Sequence, residues 1–114
     1  MIALKFLFEG ITSRIIKEQH GVKQTAQQFG ISDIQAINWG WCELWATYAR
    51  QISPRAKFIR IRQTGSCGRY HCVIKISNRY YDSETYNGVA NWRDLPWVKR
   101  DRGERFIAVA LGVK

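Results

Sequence analysis

The sequence predicts a single α+β domain, in which N-terminal helices pack on an antiparallel sheet of about four strands. Over residues 1–53 the apolar side chains recur at three- and four-residue steps, the period of an amphipathic helix. From residue 57 the period changes to two, as in a half-buried strand. The 114 residues, 46% of them hydrophobic, can form one core and contain no linker or repeat. We therefore expect one domain over 1–114, with a helical half (1–53) and a sheet half (54–114).

Four helices are predicted in the helical half. The first covers residues 2–19, where leucine, isoleucine and phenylalanine side chains form one apolar face, and Gly21 is predicted to stop it. A short second helix, T-A-Q-Q-F, follows. Ser32 has the side chain of an N-cap and begins a third helix, I-Q-A-I-N-W. A fourth helix starts at Cys42 and ends before Pro54.

Alternating apolar residues predict the strands of the sheet half. The first strand covers 57–62 and the second covers 70–76. The dipeptide S-N then predicts a hairpin turn into a third strand, 79–84. Residues 86–103 contain N-G, a proline and R-G, and they predict a loop. The apolar run R-F-I-A-V-A-L within 105–111 predicts a final strand.

The charge and the cysteines indicate partners and compartment. Eighteen Lys and Arg against nine Asp and Glu give a net charge of +9, which attracts polyanions and acidic proteins. We expect an acidic protein or peptide substrate, together with salt-dependent, non-specific contact with nucleic acid. Three cysteines without framework spacing predict reduced thiols and a cytoplasmic location. No apolar stretch is long enough to predict a membrane span, and we expect no membrane partner and no cofactor.

Three residues could form a nucleophilic site. Cys42 opens a predicted helix, where backbone N–H groups and the helix dipole lower a thiol pKa. A two-residue S-N turn pairs Val73 with Asp82, which makes His71 and Asp82 diagonal neighbours on one face. A three-residue turn would move Asp82 to the other face, and Glu84, directly opposite His71 in the first register, is a rival. The set supplies nucleophile, base and orienting acid.

These residues resemble a known superfamily. A cysteine at a helix start, followed by H-C-V-I-K-I-S-N-R-Y-Y-D-S-E-T-Y-N-G-V, resembles the papain-like and transglutaminase-like thiol enzymes over residues 38–89. More narrowly, this segment is similar to small uncharacterised bacteriophage proteins of that type, which would place the protein in the host cytoplasm. The resemblance implies a papain/transglutaminase-like core and a peptidase-like or transglutaminase-like activity, either thiol-dependent acyl transfer or amide hydrolysis. The implied roles are nucleophile for Cys42, base for His71 and orienter for Asp82.

Two polar residues of the third helix have two competing interpretations. An acyl-transfer site needs donors for the oxyanion, and the backbone N–H of Cys42 comes first, with Gln35 and Asn38 as side-chain candidates. The segment K-Q-T-A-Q-Q-F-G-I-S-D-I-Q-A-I-N-W also resembles a DNA-binding helix-turn-helix. In that alternative Gln35 and Asn38 would read adenine, although the presumed recognition helix has no Lys or Arg.

Other interpretations remain beside the enzyme. Cys42 could be a small buried apolar residue, and the chain could be a non-catalytic binding or inhibitor protein of bacteriophage type on the same scaffold. A zinc site would draw on Cys42, Cys67, His71 and Cys72. Adjacent strand residues point to opposite faces, so His71 and Cys72 do not readily share a metal, and we predict no metal site.

Overall fold

The computed structural model describes residues 3–64, 70–100 and 106–110. The helices are α1 (Leu4–Glu18), α2 (Gly21–Phe29), α3 (Asp33–Gly40), α4 (Cys42–Ile52) and α5 (Pro96–Lys99), with a 3-10 turn at Trp92–Asp94. The strands are β1 (Lys57–Gln63), β2 (Tyr70–Ile76), β3 (Arg79–Asp82), β4 (Thr85–Val89) and β5 (Phe106–Ala110). The predicted α+β fold, with helices packed on an antiparallel sheet, is confirmed.

The sheet has five strands in the order β4-β3-β2-β1-β5, one more than the expected four. The additional strand is β4, which pairs antiparallel with β3 in a region predicted to be mostly loop. Its N-G dipeptide indicates a turn, but Gly88 serves a different purpose in the sheet. Gly88 has φ +75, and a Cβ there would lie 2.7 Å from the Tyr81 ring. Glycine is therefore required by close packing at the sheet edge.

The helical half departs from prediction at Gly21. Gly21 begins α2 instead of stopping the first helix, because a turn in which Val22 N–H donates to Gln19 O redirects the chain first. Early entry into α2 also places Val22 in the core. The Ser32 cap is confirmed, since its hydroxyl accepts from the backbone N–H of Gln35 at 3.0 Å. No helix of the described chain is long and apolar enough to cross a membrane.

The segment predicted as a loop over 86–103 also contains α5. Pro96 stands at the start of this short helix, where its fixed φ suits the first turn and its missing N–H costs nothing. The helix presents Trp97 and Val98 to the core. The sequence signal was weak because four residues are too few to show a helical period.

Apolar clusters cover both faces of the sheet. On one face, α1 to α4 pack over Cys72, Ile74 and Tyr81, with Phe8 and Trp45 among the fully buried side chains. The other face carries a smaller cluster, which includes Ile59, Ile61, Val73, Leu95, Trp97, Val98 and Phe106. Neighbouring residues of β2 therefore enter two different cores. This alternation decides which groups surround the candidate site.

Candidate active site

The hairpin between β2 and β3 brings a histidine and an aspartate together. Ser77 has φ +55, and the turn at Ser77 and Asn78 has two residues, as predicted. The observed pairs are Ile74 with Tyr81, Lys75 with Tyr80, and Ile76 with Arg79. Continuing this register makes Asp82 the diagonal neighbour of His71. Asp82 Oδ2 lies 2.8 Å from His71 Nε2, and both side chains are buried.

Asp82 is itself held in place. Its second oxygen, Oδ1, accepts the backbone N–H of Glu84 at 3.0 Å. With one oxygen on the histidine and the other on the main chain, the carboxylate cannot rotate without losing a hydrogen bond. The structure thus brings Asp82, and not its rival Glu84, to His71.

Cys42 approaches β2 from the start of α4. Its Sγ accepts a hydrogen bond from the backbone N–H of Cys72 at 3.4 Å. Since Cys72 follows His71 directly, the thiol lies against the part of β2 that carries the histidine. Cys42 retains 8% exposure, while His71 is fully buried. Both described cysteines are free thiols.

The second ring nitrogen of His71, Nδ1, is the one that we consider as the partner of Cys42. Nδ1 is buried, and it has no hydrogen bond of good geometry with the described residues. Hydrogen bonding and charge from Cys42 act on the ring and raise its pKa. An unpaired ring nitrogen is compatible with a role as base, because catalytic hydrogen bonds are often long or poorly aligned before substrate binds. Trp97 stacks on the ring, with centroids 4.9 Å apart and planes inclined by 20°.

The surroundings of Cys42 favour a thiolate facing an imidazolium. Hydrogen bonding with the Cys72 thiol, with His71 and with the Cys72 backbone N–H, together with the histidine charge, outweighs burial and lowers the pKa of Cys42 to about 4. Burial opposes protonation of His71, but hydrogen bonds and charge from Asp82 and Cys42 raise its pKa to about 9. Between these values the pair is a thiolate and an imidazolium.

The neighbouring thiol has the opposite character. Hydrogen bonding with Cys42, then burial and the Cys42 charge, raise the pKa of Cys72, and the nearby Arg60 only partly opposes this. Cys72 is therefore a neutral donor that stabilises the Cys42 thiolate. No local pattern indicates this role, because it depends on contact with Cys42, 30 residues earlier in the chain.

The Asn38 side chain is engaged within the fold. It is buried, its Nδ2 donates to Glu84 Oε2 at 2.7 Å, and its Oδ1 accepts from the Ser83 hydroxyl at 3.0 Å. A buried amide needs such partners, which the sequence could not reveal. The roles of Asn38 as an oxyanion donor or a reader of adenine stay predictions, for a side chain that is buried and already bonded to Glu84 and Ser83.

Gln35 stays a prediction. It lies half-buried in the first turn of α3, where its backbone N–H bonds to Ser32. Within the described chain, no hydrogen bond joins its side chain to the triad. The backbone N–H of Cys42 lies in the first turn of α4, where N–H groups have no intrahelical acceptor.

A second polar group lies beside the triad, and we call it the bracing cluster: Asn38, Ser83, Glu84 and Arg100. Asn38 and Ser83 are buried, Glu84 is half-buried and Arg100 is exposed. Arg100 forms a two-pronged ion pair with Glu84, with both N···O distances 2.9 Å. The cluster joins α3, the β3–β4 turn and the residue after α5, regions far apart in the sequence. Because Glu84 also donates its backbone N–H to Asp82, the bracing cluster supports the triad directly.

The metal alternative gains no support. No group of three His, Cys, Asp or Glu side chains among the described residues could hold an ion. Cys67, which the zinc interpretation needed, lies outside the described residues.

Comparison with known proteins gives no assignment. No family model, no curated protein and no solved structure matches the chain. The papain/transglutaminase-like character of the core therefore stays a prediction. The function must be argued from the geometry of the site itself.

Proposed function

We propose that this protein is a thiol-dependent acyl-transfer or amide-hydrolysing enzyme, with Cys42 as nucleophile, His71 as base and acid, and Asp82 as orienting residue. One observation carries the proposal: Asp82 holds Nε2 of a fully buried His71 at 2.8 Å, while the buried Nδ1 has no hydrogen-bond partner among the described residues. We assign Nδ1 to the Cys42 thiol, whose sulfur accepts the backbone N–H of the next residue, Cys72. In the neutral ring, Asp82 keeps the proton on Nε2. Nδ1 is then the acceptor for the thiol proton.

The chemistry follows from this arrangement. The Cys42 thiolate attacks the acyl carbon, and the carbonyl electrons move onto oxygen to give a tetrahedral oxyanion. When the carbonyl reforms, the bond to the leaving amine breaks and the imidazolium of His71 gives that amine its proton. A thioester on Cys42 results. Water or a second amine then attacks the thioester while His71 accepts its proton, which gives hydrolysis or transfer.

Two neighbours support this chemistry without reacting. The first turn of α4 offers backbone N–H groups, including that of Cys42, for the oxyanion. Trp97 covers one face of the His71 ring and excludes water from the imidazolium. A dry setting strengthens the ion pair between ring and thiolate.

Trapping the acyl-enzyme tests the proposal. We expect an activated aryl ester of an N-acylated amino acid to add one acyl mass to the intact protein, located on Cys42 by peptide mapping. Cys42→Ala should give no adduct. Cys72→Ala is the matched control, since it removes the other described thiol, keeps the backbone N–H and should still give the adduct. An adduct on another residue, or none in the folded protein, would contradict the enzyme proposal.

Failure of that test would favour the non-catalytic alternative. A binding or inhibitor protein could retain the fold and keep Cys42 only for packing, as its 8% exposure allows. The DNA-binding alternative has less support, because Asn38, one of its two reading residues, is buried and bonded to Glu84 and Ser83. We therefore place it last.

A further inference from the structure

Arg60 lies beside the proposed nucleophile on the helix-covered face of the sheet. It is the direct cross-strand partner of Cys72, and paired residues of an antiparallel sheet project on the same side. Cys72 in turn donates its backbone N–H to the Cys42 sulfur. The guanidinium is near enough to influence the Cys72 thiol. Cys72 therefore lies between Arg60 and the Cys42 sulfur: it pairs with Arg60 across the strands and donates its N–H to the sulfur.

The Arg60 side chain is held in position by an aromatic ring. Its guanidinium carbon lies 4.7 Å from the centroid of Tyr70, a cation–π contact across the β1–β2 pair. Tyr70 is partly exposed, so the stacked pair borders solvent. A stacked guanidinium is planar and restricted, which lowers the entropy cost of binding a ligand.

The hydrogen-bonding capacity of Arg60 is not filled. Its Nε is buried and has no acceptor, although buried donors in native proteins are almost always paired. No Asp or Glu of the described chain forms an ion pair with it. Other arginines differ: Arg14 pairs with Glu18, Arg100 pairs with Glu84, and Arg79 donates to backbone carbonyls. A positioned cation with an unpaired buried donor is therefore available to an anion.

We propose that Arg60 binds a carboxylate of the substrate, so that Cys42 acts on an acyl group carried by, or next to, an acidic residue of a peptide. The inference rests on the proposed function and names its substrate class. A guanidinium presents two parallel N–H donors that match a carboxylate, which an ammonium cannot do. The net charge of +9 brings acidic peptides to the surface, whereas Arg60 fixes one carboxylate near the sulfur.

Paired peptide substrates test this inference. Fluorogenic peptide amides are compared that differ only in Glu against Gln, or Asp against Asn, at and beside the scissile position. We expect kcat/KM to favour the acidic peptide by about ten- to a hundredfold, the usual range for a charge-assisted hydrogen bond. Arg60→Gln should bring the ratio close to one. Arg60→Lys, which keeps the charge but loses the fork, should give an intermediate ratio.

Arg62→Gln is the matched control. Arg62 points to the same face of β1 two residues further on, but it is exposed and pairs with Tyr70 in the strand register instead of with Cys72. Its loss should leave the acidic preference largely intact. If Arg60→Gln and Arg62→Gln lose the preference for the acidic peptide equally, the preference comes from general charge attraction. That result would overturn the inference.

The two proposals fail in different ways. Turnover without an acidic preference would overturn the Arg60 inference and leave the enzyme standing. No turnover of any peptide or activated ester would overturn the enzyme, and the Arg60 inference with it. If Arg60→Gln does not fold, the wild-type protein and Arg60→Lys still test the inference. A ratio of kcat/KM between acidic and amide peptides that is near one in the wild type contradicts carboxylate binding.

Discussion

Two polar clusters share the end of β3, and they differ in how fully their hydrogen bonds are satisfied. In the bracing cluster, Arg100 meets both oxygens of Glu84, and Asn38 uses both its amide nitrogen and its oxygen. In the triad, His71 Nδ1 has no hydrogen bond of good geometry within the described chain. Asp82 and Glu84 stand only two residues apart. One carboxylate orients an imidazole, and the other joins three segments of the fold.

This difference separates a structural network from a candidate chemical one. A fully paired network has no capacity left for a substrate, and its value lies in rigidity. A buried group with an open position, perturbed pKa values and a free thiol beside it costs stability, and such groups gather at functional sites. The two clusters should therefore respond differently to substitution: the triad through its chemistry and the bracing cluster through its stability.

Removing the nucleophile should have the largest effect. Cys42→Ala is expected to lower acyl transfer by about a thousandfold or more, because the other described thiol, Cys72, has a raised pKa and stays protonated. Thermal unfolding should change little, since the side chain loses only a sulfur. The assay is ester hydrolysis beside a melting curve. If the variant still hydrolyses the ester, or does not fold, the triad does not act through chemistry while the bracing cluster acts through stability, and the comparison fails.

Neutralising the orienting carboxylate should come next. Asp82→Asn removes the charge that raises the pKa of His71, and it leaves an amide that can turn the wrong group toward Nε2. We expect kcat to fall by about a hundredfold, within the range of general acid–base catalysis. Glu84→Gln is the isosteric comparison on the same strand end. Equal losses of kcat in both variants would contradict the separate roles.

The bracing cluster should show its contribution in stability. Asn38→Ala removes the buried amide that donates to Glu84, while the Ser83 hydroxyl keeps the Ile34 carbonyl as an acceptor. Loss of the hydrogen bond to the charged Glu84 costs about 1–3 kcal/mol of unfolding free energy. A chain of this size then melts lower by about 4–8 °C for each kcal/mol. Acyl transfer below the melting range should fall far less than in Asp82→Asn. Urea denaturation of both variants measures the comparison.

The rate of acyl transfer should have a bell-shaped dependence on pH. Activity rises as the pH passes about 4, where Cys42 loses its proton, and falls as it passes about 9, where the His71 imidazolium loses the proton that the leaving group needs. Asp82→Asn should move the alkaline limb to lower pH. A profile that rises only above pH 8 would indicate an ordinary thiol.

The hairpin and the starts of α3 and α4 could be predicted from the sequence, because their causes are local. The S-N turn fixed the register that joins His71 to Asp82, and the Ser32 cap marks the start of α3. Strand β4 was missed because N-G normally signals a turn, whereas Gly88 is needed where the Tyr81 ring lies close. Local sequence patterns therefore predict an element correctly where no contact with a distant residue determines its structure.

The surroundings of the triad could not be predicted, because they join segments far apart in the chain. Asn38 is 46 residues from Glu84, and no local pattern reveals that they meet. The same holds for Trp97, which stacks on His71 from a helix too short to show a period. The hydrogen bond from the Cys72 backbone N–H to the Cys42 sulfur likewise joins residues that are 30 positions apart.

The reactivity of Cys42 toward iodoacetamide as a function of pH tests the central claim most directly. Rates are followed for each cysteine by mass spectrometry in the folded protein. A thiol whose pKa is about 4 is fully ionised at pH 6, whereas one near 9 is about a thousandth ionised there. We predict that Cys42 is labelled at pH 6 at nearly its maximal rate, well ahead of Cys72. Labelling that climbs about tenfold per pH unit up to pH 9, or that begins only on unfolding, would contradict the account.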